Sequence, residues 1–217
     1  MSHNHGGCCG HGNHGGPDVG VSIEDADGLG CQYSLYQKIN LAEVACLNET
    51  VDGSGQLVFK PWDRRLDKTD CVVSDADEEL LWNIPFSGNV KLKGVIVVGG
   101  EGQSHPQKMR LFKNREHMTF DEARAQADQE FDVVKDPQGQ VEYPTKVVSF
   151  SNVHHLTIHF PSNYGDDETK VYYIGLKGEF FKSNRVGVVN TVYEARPMME
   201  DHKQDLKDLN ISHNAQF

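Results

Sequence analysis

The residues best suited to chemistry stand at the start of the chain. His3, His5, His11 and His14 surround Cys8 and Cys9 within sixteen residues that also hold six glycines. Imidazole nitrogens and thiolate sulfurs are the donors that zinc and copper prefer. A structural zinc site needs ligands held by a fold, however, and glycine-rich coil must first be ordered to make one. The expectation for this stretch is weak, adventitious metal binding, with no cofactor assigned. A metal-handling role through these six side chains stands as an alternative.

A second histidine group, His154, His155 and His159, falls in a run that reads as a strand. At about 3.3 Å per residue, His155 and His159 are about 13 Å apart, too far to share one ion bound at about 2 Å by each nitrogen. They are read as surface or internally satisfied histidines. Asp75-x-Asp77-x-Glu79 begins like an EF-hand loop. Its sixth position is Leu80 in place of glycine and its twelfth is Phe86 in place of glutamate, so the calcium reading fails. Gly99–Ser104 is glycine-rich but lacks the Gly-Lys-Ser/Thr ending of a phosphate loop. No serine or cysteine sits in a nucleophile elbow, and no enzyme activity is expected. Phe59-Lys60-Pro61-Trp62-Asp63-Arg64-Arg65 joins aromatics, proline and mixed charge. It reads either as a binding edge or as a loop pinned by a buried Trp62.

The 217 residues carry 21 Lys and Arg against 32 Asp and Glu, a net charge of −11. Phosphate binding draws on a basic surface, so nucleic acid is not expected as a partner. No apolar run nears the roughly 20 residues that span a bilayer, and no membrane partner is expected. The first residues show no basic segment followed by an apolar one, so no secretory signal is read. Five cysteines stand at irregular spacing without a Cys-x-x-Cys pair, which points to reduced thiols in the cytoplasm. Asn48-Glu49-Thr50 and Asn210-Ile211-Ser212 are then chance matches to the glycosylation pattern.

The elements that must position any site are mostly strands. Alternation marks Val90–Val98, Val153–Phe160, Val171–Lys177 and Val186–Val192, with shorter candidates at Leu80–Phe86, Lys108–Phe112, Phe131–Val134 and Val141–Val148. In Val153–Phe160, Leu156, Ile158 and Phe160 share one face, and His155, Thr157 and His159 the other. Ser87-Gly88-Asn89, Asp136–Gly139 and Asn163–Asp166 carry turn chemistry. Helix signals are few: a short helix from Leu41 to near Cys46 behind Asn40, a capped turn over Ser74–Glu79, and a weak polar stretch at Asp121–Gln129. The sum is an all-β protein, an antiparallel β-sandwich or barrel with few short helices. Residues 1–30 read as a disordered His/Gly/Cys-rich tail and linker, and residues 196–217 as a C-terminal tail.

Several strings then point to one family. Val58-Phe59-Lys60-Pro61-Trp62, Ser74–Leu81, Ile84-Pro85-Phe86 and Val90–Gly94 resemble the PITH domain. So do His105-Pro106, Met109–Asn114, Phe150–Val153 and Thr169–Glu179. The resemblance runs in order over roughly residues 31–195. It implies a jelly-roll sandwich similar to galactose-binding-like domains, a cytoplasmic and also nuclear setting, and association with the 26S proteasome. The chain holds no Trp-Cys-Gly-Pro-Cys motif, so the resemblance implies no reductase activity.

The expected function is a non-enzymatic, monomeric protein-interaction module whose partner is a proteasome subunit or a related regulatory complex. Lys60, Arg64 and Arg65 in one loop, and Asp75, Asp77 and Glu78 in an acidic turn, are the candidate contacts. A small-ligand or glycan-binding domain, argued from fold analogy alone, is the other alternative.

Overall fold

The computed structural model describes residues 21–22 and 33–182. The strands are β1 (Val21–Ser22), β2 (Ala45–Leu47), β3 (Val72–Val73), β4 (Leu80–Gly99), β5 (Lys108–Lys113), β6 (Gln129–Asp132), β7 (Val141–Pro144), β8 (Val153–Phe160) and β9 (Lys170–Phe181). All their pairings are antiparallel.

Strand β4 organises the rest. Laid straight, its 20 residues would reach about 66 Å. Yet Leu80 pairs with Phe160 while Gly99 pairs with Val171, and Thr169 Oγ1 donates to the carbonyl of Glu78 at 2.7 Å. Both ends of β4 therefore meet the same short stretch of chain, and the strand must double back. It does so over Ser87-Gly88-Asn89, where the ladder to β8 shifts register between Pro85 and Val90. The expected turn is present, but as a corner inside one continuous strand. Gly88 suits this corner because a Cβ there would sit 2.9 Å from the Phe180 ring.

The first arm of β4 pairs with β2 and β8, and β5 and β6 extend that sheet beyond β8. The second arm pairs with β7 and β9, with β1 and β3 at the edges. Two five-stranded sheets thus share β4. Their inner faces meet through Leu80, Trp82, Ile84, Leu156, Ile158 and Phe160 on one side, and Val95, Val97, Tyr143, Ile174 and Leu176 on the other. Each of these sets follows the period of two that makes one sheet face apolar.

The outer faces are covered as well. A connection between β5 and β6 lays Met118, Phe120, Ala123 and Ala127 over Leu81 and Phe112. Its one helical turn, Phe120–Ala123, begins with a reciprocal capping box between Thr119 and Glu122. Arg110 holds the far end by donating to the carbonyls of Ala123 and Ala125. This cover decides the histidine reading. His155, Thr157 and His159 share a face, as alternation has it, and all three are buried beside a second small core, so they are not surface histidines, and both His159 ring nitrogens lack a hydrogen-bond partner. On the opposite sheet, Ile96, Val98 and Tyr173 are covered by Trp62 and Tyr172.

Other departures are local. The expected helix after Asn40 is one 3-10 turn, Leu41–Glu43, and β2 begins two residues later. Strand β7 stops at Pro144, short of Val148, and β6 starts at Gln129, ahead of Phe131. The expected strand Val186–Val192 and the C-terminal tail lie outside the described residues, as do His3, His5, Cys8, Cys9, His11 and His14.

Candidate interaction surface

The loop between Leu57 and Asp70 is fastened at both ends to β9. Its start is held by the Ile174 amide, which donates to the Val58 carbonyl at 3.0 Å. Its exit is held by β3, where Val72 pairs with Val171. Pro61 presets the backbone for a 3-10 turn, Trp62–Arg64. Successive turns follow, with Arg65 donating to the Trp62 carbonyl and Asp67 to that of Arg64.

Lys60 lies inside this loop. It is 5% exposed, and its ammonium donates to the carbonyls of Asp67 at 2.7 Å and Asp70 at 2.9 Å. As a candidate contact residue it is therefore corrected: its donors are spent on closing the loop. Hydrogen bonds from a charged donor contribute about 1.5–3 kcal/mol each net of solvation. Lys60→Met keeps the apolar stem and strands both carbonyls. It should lower the unfolding free energy by about 2–3 kcal/mol and open residues 60–70 to proteolysis. Urea unfolding with a limited-digestion map reads both effects. An unchanged digestion pattern would remove Lys60 as the loop's clamp.

Trp62 is neither buried nor free. Its edge covers Ile96, Val98 and Tyr173, while the Arg65 guanidinium stands 4.1 Å and the Lys177 ammonium 5.4 Å from its ring centroid. Arg65 also donates to the Trp62 carbonyl, and Lys177 pairs with Glu142 at 2.9 Å. Both cations are thus fixed against the indole. Tyr172 repeats the pattern with Lys68, which also pairs with Glu101 at 2.6 Å. Exposed on this loop are Asp63, Arg64, Leu66, Lys68 and Thr69. Arg64 pairs with Asp67 at 2.6 Å, and its guanidinium holds that carboxyl well below the usual range. Leu66 and Leu57 are among the exposed large apolar side chains.

The acidic turn is built differently. Asn48, in a left-handed conformation with φ 66°, spends its amide on Asp77 Oδ1 at 2.8 Å and on the Glu79 carbonyl at 2.7 Å. That engagement also leaves the Asn48 nitrogen no room for a glycan. Asp75 and Asp77 are exposed and Glu78 is half-buried. Asp77 also accepts from the Glu79 amide, so its carboxylate shapes the turn. The six candidate residues are not brought together: the loop lies over the outer face of β9 and its neighbours, and the acidic turn leads into the start of β4. Period-two reading could not show that Glu142, Tyr172 and Lys177 complete the Trp62 framework, because these side chains come from three positions on two strands.

Among the described residues, no three His, Cys, Asp or Glu side chains are grouped to hold a metal ion. His159 comes nearest to a site. It is 3% exposed, neither ring nitrogen has a hydrogen-bond partner, and Nε2 lies 4.0 Å from Glu79 Oε2. Phe120 meets it edge to face. Burial, with Arg110 adding to it, pushes its pKa down to about 4, so the imidazole is neutral and acts as packing. The free thiol of Cys46 is inert for a related reason, since burial and then Glu49 raise its pKa well above the ordinary value.

A family model for the PITH domain matches residues 25–197. The chain belongs to the PITH domain family. A Drosophila melanogaster PITH domain-containing protein is 52% identical over 207 residues, covering 95% of this chain and 94% of that one. Human PITH domain-containing protein 1 is 48% identical over 203 residues, covering 94% of each. Among solved structures, the paired CBM32 domains of Clostridium perfringens ZmpB in complex with GalNAc superpose with a TM-score of 0.51 at 9% identity, over 71% of this chain and 38% of that one. That likeness concerns the fold, a galactose-binding-like antiparallel sandwich. In this PITH domain neither tryptophan offers the open ring on which a sugar would stack. Trp82 is fully buried, and the Trp62 ring carries two cations.

Proposed function

We propose that this PITH domain protein is a non-enzymatic interaction module that docks on the 26S proteasome or a related regulatory complex, presenting the Leu57–Asp70 loop as its contact. One observation carries the reading: Arg64, Leu66 and Lys68 are displayed on a loop locked from behind by Lys60, Trp62 and two attachments to β9. A contact surface held in one shape loses little entropy on binding, and a central apolar side chain between cations suits a rim-and-anchor interface. The proteasome enters as the partner that the PITH family resemblance implies, and the module acts in the cytoplasm and nucleus.

The test is affinity capture from cytosol at physiological salt, using the full chain and an Arg64→Glu/Leu66→Asp variant. The wild type should recover proteasome subunits, and the variant should recover roughly ten-fold less with its melting temperature unchanged. Folded wild-type protein that recovers no proteasome subunit would defeat the proposal.

A further inference from the structure

We infer that the Asp52–Gly53 peptide is a covalent modification site, where aspartate rearranges to isoaspartate, and that Glu49 is the latch that holds the reaction off. The chemistry needs no reagent but water. With the Asp52 carboxyl protonated, the Gly53 nitrogen attacks Asp52 Cγ. The N–Cγ bond forms, the Cγ–OH bond breaks, and the hydroxyl leaves with the amide proton as water. A five-membered imide results. Water then adds to the main-chain carbonyl carbon of Asp52 and breaks its bond to nitrogen, which takes back a proton. The α-carboxyl is left free, and the main chain now runs through Cβ and Cγ, one methylene longer. Nothing is oxidised, and the mass returns to its starting value.

Residue type and exposure both permit this. Glycine offers its nitrogen with no side chain to shield it, and a Cβ built on Gly53 would meet nothing within 4 Å. Asp52 and Gly53 are exposed, so water reaches the imide. Backbone geometry opposes the reaction. The Ser54 amide donates to the Val51 carbonyl at 3.0 Å, which closes a turn around Asp52 and Gly53. Gly53 has φ 82° and ψ 0°, and Asp52 is not among the residues with positive φ. That combination is a type II turn, in which the residue before the glycine has a ψ of about +120°. At that angle the Gly53 nitrogen is turned away from the Asp52 side chain. Ring closure requires rotation about the Asp52 Cα–C bond until the nitrogen eclipses Cβ, and the Gly53 N–H swings with it.

Glu49 resists that swing. Its Oε1 accepts from the Gly53 amide at 2.7 Å, and its Oε2 accepts from the Ser54 hydroxyl at 3.0 Å and the Gly55 amide at 2.5 Å. A charged acceptor makes the stronger hydrogen bond, and this one carboxylate holds the peptide that must turn together with the two residues after it. An added methylene at Asp52 displaces all three donors. The change passes inward through Gly55, whose carbonyl accepts from the Trp82 indole. It passes onward through the Ser54 carbonyl, which accepts from the Leu57 amide at 2.9 Å.

The test incubates the full chain at neutral pH, below its melting temperature, and then digests it with trypsin. Isoaspartate is read as the fraction of peptide 39–60, whose only aspartate is Asp52, that an isoaspartyl carboxyl methyltransferase methylates from S-adenosylmethionine. The native wild type should form it roughly ten- to a hundred-fold more slowly than the urea-unfolded chain, and Glu49→Ala should recover most of that difference. Glu49→Gln keeps an oxygen acceptor for the Gly53 amide but loses the charge, and should fall between. Should Glu49→Ala fail to fold, Glu49→Gln against wild type carries the comparison. Trp82→Phe frees the Gly55 carbonyl with Glu49 in place and should stay near wild type, which separates the latch from general loosening. No methylation even after unfolding would remove the site. Native wild type matching the unfolded chain, glutamate variants matching wild type, or Trp82→Phe matching Glu49→Ala would overturn the latch. Nothing here draws on proteasome capture, so either result leaves that reading standing.

Discussion

Trp82→Ala should cost about 4 kcal/mol of unfolding free energy, within the range of about 3–5 kcal/mol for emptying a large aromatic from a core. Trp82 sits on the first arm of β4 with no exposure, and Phe160 on β8 meets its ring edge to face at 5.7 Å. Its indole N–H donates to the Gly55 carbonyl at 3.0 Å, which ties the core to the Ser54–Gln56 turn. That turn is itself wound around Glu49, whose carboxylate accepts from the Gly53 amide, the Ser54 hydroxyl and the Gly55 amide. The substitution therefore removes ring packing and strands a carbonyl at once. Trp82→Phe separates the two. It keeps most of the aromatic contact, loses the hydrogen bond, and should cost about half as much. Urea unfolding of both variants checks this. A cost for Trp82→Ala below about 1.5 kcal/mol would mean that the interior closes over the gap, which a close-packed sandwich core should not do.

How much of this was legible in the sequence depends on the range of the interaction. Strand β8 has the bounds that alternation gives it, Val153–Phe160, because period two is a local property. The corner at Ser87–Asn89 was also legible, since serine, glycine and asparagine write a turn wherever they fall together. That β4 continues through that turn into the other sheet was not legible, because it depends on partners on β7 and β9, 46 or more residues away along the chain. The histidine face was legible only in its membership. Alternation assigns His155, Thr157 and His159 to one side, but what covers that side is a connection whose own pattern is polar and weak. Lys60 shows the limit for single residues. A lysine beside an aromatic and a proline looks like surface chemistry, and only the return of the chain at Asp67 and Asp70 turns it inward. The PITH resemblance supplied the sandwich fold; the loops, which carry the candidate contacts, had to be read from contacts.

The buried histidines make stability depend on pH, in a direction that can be worked out. The folded-state pKa of His159 lies near 4, below the ordinary value of 6.5, so between those pH values the unfolded chain binds the proton and the folded one refuses it. Stability is then fully present above pH 6.5 and drains as pH falls toward 4. At 1.36 kcal/mol for each pH unit, the loss approaches about 3 kcal/mol. His105 and His155 are also lowered, by burial first, and act in the same sense. The groups facing His159 are Arg110, which opposes the imidazolium, and Glu79. Burial raises the Glu79 pKa, with Asp77 adding to it, so Glu79 works in the opposite sense. With its side chain 36% exposed, solvent screening keeps that effect small. Urea unfolding from pH 7 to pH 4 should therefore show a wild-type slope that His159→Leu largely removes, leaving the smaller part due to His105 and His155. The difference between the two profiles cancels the surface carboxylates, which titrate alike in both. Parallel profiles would mean that water reaches the imidazole in the folded protein. The connection pinned by Arg110 would then be a loose cover, and the second small core on the outer face of β8 would not be dry.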